Sequence, residues 1–252
     1  MVQLVRGVGS SFSSYGGRMP VLSVPGVNNL RDVGGIPAGD TRVRSGALLR
    51  SGHLSGVTAE GRSVLSGLVR HIVDLRDDAE VRSAPSDLTA VDTTRVPLFL
   101  GSADSFLAQG MDLAAMYRHL VDESGERFVE AIRVIARGEP TLVHCTLGKD
   151  RTGVTVALAL SAVGADRDAV IADYALTQSQ LSASRKRSIE RYLRAISANP
   201  HNAIQVATAS PAAVMAALLD DIDERFGSAA GYLETSGLTD AELAALRDAL
   251  LV

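Results

Sequence analysis

Tryptophan is absent from this chain, and cysteine occurs once in 252 residues, at Cys145. A lone cysteine excludes an internal disulfide and a multi-thiolate metal site, and it offers no bridge framework from which a redox compartment follows. An oxidised Cys145 would have no internal thiol to rescue it, so peroxide sensitivity is expected of any chemistry that uses it. Positive charge is not in excess: 25 Lys and Arg stand against 29 Asp and Glu, a formal net charge of −4, with a pI near 5.7. That balance gives no global reason to bind nucleic acid or an anionic membrane, so attraction to anions must be local. Long apolar runs are missing too, and stable membrane insertion is not expected. His53, His71, His119, His144 and His201 are scattered without ligand spacing, so no metal or other cofactor is expected.

The segment Met1-Val2-Gln3-Leu4-Val5-Arg6 lacks the apolar stretch of a signal peptide. The expectation is a cytoplasmic protein, or one exported without a cleavable signal. Residues 7–19 have linker composition, so residues 1–20 are expected to form a flexible tail ahead of a single domain over 21–252. Strands are expected near Ala47–Arg50, His71–Leu75, Thr94–Pro97 and Thr141–His144, with helices near Ala59–Gly67, Leu113–Leu120, Glu126–Arg137 and Thr152–Val163. Alternating strands and helices indicate an α/β sheet with crossover connections.

The cysteine stands in the run His144-Cys145-Thr146-Leu147-Gly148-Lys149-Asp150-Arg151-Thr152-Gly153, between a short apolar strand pattern and an apolar helix pattern. A loop closing on a helix N-terminus turns several backbone N–H groups inward, and with the helix dipole these make a nest for a tetrahedral oxyanion. The same field favours the thiolate of Cys145. Arg151, six residues on, has the planar fork that holds two phosphate oxygens and stays charged. A nucleotide-binding P-loop is rejected, because Val143 and Asp150 occupy positions where that motif needs glycine and serine or threonine.

His-Cys, five residues, then Arg-Thr resembles the signature of the cysteine-dependent protein tyrosine phosphatase superfamily. The Gly148-Lys149-Asp150-Arg151-Thr152-Gly153 continuation is similar to its bacterial and fungal tyrosine/lipid phosphatase branch. Asn29-Leu30-Arg31-Asp32, Leu48-Leu49-Arg50-Ser51, Val73-Asp74-Leu75-Arg76 and Gly231-Tyr232-Leu233 also look like elements of that branch, from about Val24 to the last residue. The resemblance implies a phosphotyrosine phosphatase-like sheet flanked by helices, with a C-terminal helical lid over about 176–213. It implies hydrolysis of phosphate monoesters through a cysteinyl-phosphate, with phosphotyrosine proteins as substrates. Phosphoserine, phosphothreonine and phosphoinositides join as candidates.

Each site residue carries a competing reading. Cys145 is the nucleophile or an inert core thiol, and the spacing to Arg151 favours the former. Thr146, Leu147, Gly148, Lys149, Asp150 and Arg151 are expected to bind phosphate through the loop. His144 supports the loop rather than transferring protons, and Thr152 caps the helix or donates to the sulfur. Many superfamily members take their general acid from a Trp-Pro-Asp loop, which a chain without tryptophan cannot have. The branch implicates the aspartate in the phosphate loop, here Asp150, whose alternative is a salt bridge with Lys149 or Arg151. Asp74 ranks second, ahead of Asp104, Asp112 and Asp122. Lys149 is either a second cation for multiply charged substrates or a solvated lysine. Arg31, Asp32 and Arg76 brace the active-site side. In the lid region Ile189, Tyr192, Leu193 and Ile196 form one stripe and Arg187, Arg191 and Arg194 another. With Arg185 and Lys186, the second stripe reads as a solvated face before a lipid-headgroup site. Rhodanese-like sulfurtransferases and arsenate reductases share a loop cysteine, but Arg151-Thr152-Gly153 favours phosphate. A non-catalytic phosphate-binding module is disfavoured because both Cys145 and Arg151 are present.

Overall fold

The computed structural model describes residues 22–252 apart from 87, 99–111, 182 and 198. The expected tail over 1–20 and Asp104 lie outside the described residues. The strands are β1 (Arg31–Asp32), β2 (Pro37–Ala38), β3 (Thr41–Arg42), β4 (Leu48–Ser51), β5 (His71–Asp74), β6 (Asp92–Arg95) and β7 (Thr141–His144). Five of them form one mixed sheet in the order β1-β4-β7-β5-β6, and β2 and β3 make a separate hairpin. Only β1 runs antiparallel to its neighbour in the large sheet.

Alternation of side chains places Leu48, Val73 and Val143 in the larger core on one face, and Leu49, Ile72 and Leu142 in the smaller core on the other. Parallel strands covered on both faces are buried along their length, as β4 and β7 are, and their apolar residues fill both cores while Arg50, Ser51, Asp74 and His144 stand at the carboxyl ends. The edge strand β6 was expected over Thr94–Pro97 but pairs over Asp92–Arg95. Val96 and Leu98 still donate to Asp74 and Leu75 across the gap. Pro97 between them has no N–H to give, so the regular ladder stops before it.

The helices are α1 (Ala59–Leu68), α2 (Asp78–Ser83), α3 (Leu113–Glu123), α4 (Gly125–Ile135), α5 (Asp150–Ala162), α6 (Arg167–Gln180), α7 (Ala183–Ile196), α8 (Pro200–Thr208), α9 (Ala212–Phe226), α10 (Ala229–Thr235) and α11 (Asp240–Leu250). Helix α1 covers the smaller face through Leu65. On the larger face lies α5, buried almost all round because almost every residue from Thr152 to Ala162 is apolar or small. Polar side chains stop several helices at their N-termini: Thr58, Asp112 and Asp166 each accept from a first-turn N–H.

The expected lid segment 176–213 divides in two. Residues 176–180 finish α6, whereas α7 and α8 pack on each other as a hairpin. The apolar stripe on α7 is not turned inward as a unit: Leu193 is buried, but Tyr192 and Ile196 are exposed. The chief neighbour of α7 is α8, so one apolar flank remains open to solvent.

A buried triad ties the sheet to α6. Arg31 and Arg50 face each other across β1 and β4. Both reach Asp173, at 2.6 Å from Arg31 Nε to Oδ1 and 2.5 Å from Arg50 Nη1 to Oδ2. Burial and the second guanidinium lower Arg31 to about 10, against the pull of Asp173. Burial alone would raise Asp173, but the two guanidinium groups hold its carboxyl below the usual range. Asp173→Ala leaves two guanidinium groups buried without their counter-ion. The expected loss is about 3–5 kcal/mol, read as a lower urea midpoint with an unchanged slope.

Candidate active site

Cys145 follows the carboxyl end of β7, the middle strand, and is 2% exposed. Its neighbours β4 and β5 are in register with β7, Ser51 and Asp74 both standing opposite His144. The crevice beyond the carboxyl ends of the strands is where open α/β sheets bind ligands, and three strand ends converge on it here.

The loop from Cys145 to Lys149 is held from outside by its carbonyls. His53 N–H donates to Thr146 O at 3.1 Å. Asn29 Nδ2 donates to Leu147 O at 3.2 Å and Gly148 O at 2.9 Å, and Arg50 Nη2 donates to Gly148 O at 3.0 Å. In a trans peptide the N–H points away from the C=O. Carbonyls drawn outward therefore turn the amides of Leu147, Gly148 and Lys149 inward, which makes the anion nest. Asn29 is itself oriented, because its Oδ1 accepts from Arg31 Nη1 at 2.5 Å. Gly148 has a φ of +69°, and a Cβ there would lie 2.3 Å from Ser51 O, so only glycine fits this close approach.

Arg151 sits in the first turn of α5, where both terminal nitrogens are taken by Glu80: Nη1 to Oε2 and Nη2 to Oε1, each 2.6 Å. Nη1 also donates to Leu75 O at 3.3 Å, and Nε is buried without a hydrogen-bond partner among the described residues, which leaves Nε–H and the second N–H of Nη2 for an incoming anion. Glu80 also accepts from the Thr146 hydroxyl, so that hydroxyl braces the loop rather than facing a ligand. Burial works against the charge of Glu80, but Arg151 wins and lowers it to about 2. Burial likewise opposes the charge of Arg151, yet Glu80, Cys145 and Asp150 together hold it protonated. The Thr152 hydroxyl is also buried and unpartnered among the described residues.

His144 is buried, with Nδ1 3.3 Å from Cys145 O and Nε2 3.8 Å from Asp74 Oδ1. Burial lowers it to about 4 despite Asp74, so the imidazole is neutral near pH 7. Asp74 would be raised by burial. Arg76 outweighs that, donating from Nε at 2.9 Å and Nη2 at 2.7 Å, and holds the carboxyl ionised. Arg76 thus occupies both oxygens of Asp74 and leaves neither free to carry a proton to a substrate, which argues against Asp74 as the acid. Asp112 caps α3, and Asp122 pairs with Arg225 on the surface at 2.7 Å.

Asp150 opens α5, beside the loop. Its Oδ1 accepts from the Tyr117 hydroxyl at 2.7 Å and lies 2.9 Å from Lys149 Nζ, so the salt bridge, the alternative reading of Asp150, is present and buried on the lysine side. Tyr117 also shares a 2.8 Å hydrogen bond with Tyr174. Burial and Asp150 raise the Tyr117 phenol well above its usual value, so it remains a donor. Lys149 is not the solvated lysine of one reading: the side chain is fully buried, and Nζ donates to Val206 O at 2.6 Å and Ala209 O at 3.0 Å. Carbonyls at the end of a helix lack intrahelical donors, which makes them strong acceptors for the ammonium.

Glu80, Tyr117, Tyr174 and Asp173 were not singled out from the sequence. Glu80 had a signal: Asp77-Asp78-Ala79-Glu80 is a capping-box spacing directly after a strand end, and the structure forms that box. The two tyrosines had none, being brought to Asp150 from distant helices.

A thiol at the foot of an amide nest, with a paired arginine and a carboxyl at the mouth, defines a cysteine-dependent phosphatase site. Residues 22–252 match the family described as the tyrosine phosphatase family, and the chain belongs to it. It is 30% identical to the triple specificity protein phosphatase PtpB of Mycobacterium tuberculosis, over 92% of this chain and all of that protein. It is 29% identical to a tyrosine-protein phosphatase of Nostoc commune, over 82% of this chain and 75% of that one. The crystal structure of TpbA from P. aeruginosa aligns at 22% identity over 59% of this chain and 73% of that one. Its TM-score is 0.32.

A neutral buried His144 has a consequence for acid stability. Its folded value is about 4 against an ordinary 6.5, so the unfolded chain takes up the proton first as pH falls. Its contribution is complete above about pH 6.5 and is lost progressively toward pH 4, on the order of 3 kcal/mol. Urea midpoints measured across that window are expected to fall less steeply in His144→Gln than in the wild type.

Proposed function

We propose that this chain hydrolyses phosphotyrosine and other phosphate monoesters through a cysteinyl-phosphate on Cys145. The observation that carries the reading is the loop following Cys145, whose carbonyls are drawn outward by His53, Asn29 and Arg50. Inward amides and Arg151 would hold the three non-bridging oxygens and stabilise charge as it develops. Attack by the thiolate forms the S–P bond as the P–O bond to the leaving group breaks. Asp150 supplies the proton to the departing oxygen. Oδ1 of Asp150 is occupied by Tyr117 and Lys149, which leaves Oδ2 for this transfer.

In the second step water attacks phosphorus, its proton passes to Asp150, and the S–P bond breaks. The buried, unpaired Thr152 hydroxyl is suited to donate to the sulfur as it leaves. His144 acts as part of the loop's support. Substrate breadth beyond phosphotyrosine, to phosphoserine, phosphothreonine and phosphoinositides, is part of the same proposal. It is supported by the relative whose name carries triple specificity.

Initial rates on phosphotyrosine and phosphoserine peptides and on mono- and polyphosphorylated inositides, with chelator present, test this. Cys145→Ser is expected to lose turnover while still binding phosphate. Asp150→Asn is expected to lose about 10²-fold or more in kcat and to flatten the pH limb set by the acid. Full activity in Asp150→Asn with an unchanged pH profile would move the acid elsewhere. Binding without turnover in the wild type would make the chain a recognition module.

A further inference from the structure

Lys149 reaches out of the phosphate loop to the lid hairpin. Its ammonium has three N–H groups and three oxygen neighbours: Val206 O at 2.6 Å, Ala209 O at 3.0 Å and Asp150 Oδ1 at 2.9 Å. The donor inventory of the ammonium is thus filled, in a side chain with no exposure to solvent. Val206 lies in the last turn of α8 and Ala209 is its C-cap. The last carbonyls of a helix lack intrahelical donors and carry the negative end of its dipole. A cation from the phosphate loop therefore caps the lid helix.

The next residue is fastened separately. Buried Ser210 donates from Oγ to Ala175 O at 3.1 Å and accepts there from Gln178 N at 2.9 Å. Its own N–H donates to Gln178 Oε1 at 3.2 Å. Ser210 is thus anchored to α6 whether or not Lys149 is engaged, so release of the Lys149 contacts loosens the end of α8 without detaching the chain that follows it.

We propose that Lys149 is a latch between lid and phosphate loop, and that a substrate with a second anionic group gains the ammonium by displacing the Val206 and Ala209 carbonyls. A monoester with one phosphate leaves the latch closed. A vicinal or nearby second phosphate pairs an anion with the ammonium, a stronger contact than either carbonyl offers, so it uncaps α8 and loosens its last turn. Lys149 then stays tied to Asp150, so the released cation remains beside the candidate acid. The proposal rests on the phosphatase reading and assigns to that site a preference for multiply phosphorylated substrates.

Amide hydrogen exchange read by mass spectrometry on the full chain tests it, in the Cys145→Ser background so that ligands persist. Lys149→Met keeps the stem and removes the charge; exchange over 200–210 is expected to rise about tenfold while β7 keeps its protection. In the chain with Lys149 present, inositol hexakisphosphate is expected to raise exchange over 200–210, and inorganic phosphate is not. In Lys149→Met the two ligands are expected to act alike. Equal responses to both ligands with Lys149 present would overturn the latch, and this arm decides even if Lys149→Met fails to fold. Unchanged exchange over 200–210 in a folded Lys149→Met would overturn it as well. Turnover of a phosphotyrosine peptide by the wild type, measured separately, reports on the phosphatase reading alone.

Discussion

The hold of Asn29 and Arg50 on the Gly148 carbonyl is the contact on which the site depends. It fixes which way a peptide plane faces, and the plane decides whether the loop offers phosphate a ring of donors or a ring of acceptors. Arg50 is fixed in turn by Asp173, and Asn29 by Arg31, which also binds Asp173. One carboxylate on α6 therefore orients the two side chains that orient the loop. Gly148 completes the arrangement, since its left-handed backbone brings the loop against Ser51 where a side chain would collide.

Burial of charge follows the same logic throughout. Arg31 and Arg50 meet Asp173, Arg76 meets Asp74, and Arg151 meets Glu80, each pair with short, directed hydrogen bonds. Such pairs contribute little net stability once desolvation is counted, but removal of one partner is severe. Their value here is geometric. Arg151 is held by two nitrogens so that the third, Nε, has one place to point, and Glu80 links it back to Thr146 in the loop. A fork immobilised before substrate arrives loses less freedom on binding it.

Much of this was legible in the sequence. The strand before Cys145, the helix after it and the flanking strands expected at Ala47–Arg50 and His71–Leu75 follow from apolar runs, and the structure forms the latter two over Leu48–Ser51 and His71–Asp74. The edge strand shifted because Pro97 interrupts its ladder, and α7 kept Tyr192 and Ile196 in solvent because periodicity records a stripe without saying what covers it. Lys149 illustrates the harder limit. Adjacent residues in a tight loop point in different directions, and the direction is set by partners 57 and 60 positions away. Tyr117 and Tyr174 were invisible for the same reason: nothing local distinguishes an aromatic that packs from one that also donates to a carboxylate.

In the proposed function the Cys145 sulfur carries the phosphoryl group between two displacements. Rapid acid quench of the wild-type chain with a phosphotyrosine peptide, followed by peptide mapping in the mass spectrometer, reads that intermediate. One phosphoryl increment is expected on the peptide containing Cys145, lost on longer incubation and absent from Cys145→Ser. Turnover without a covalent phosphoryl group, or with the group on any other residue, would rule the intermediate out.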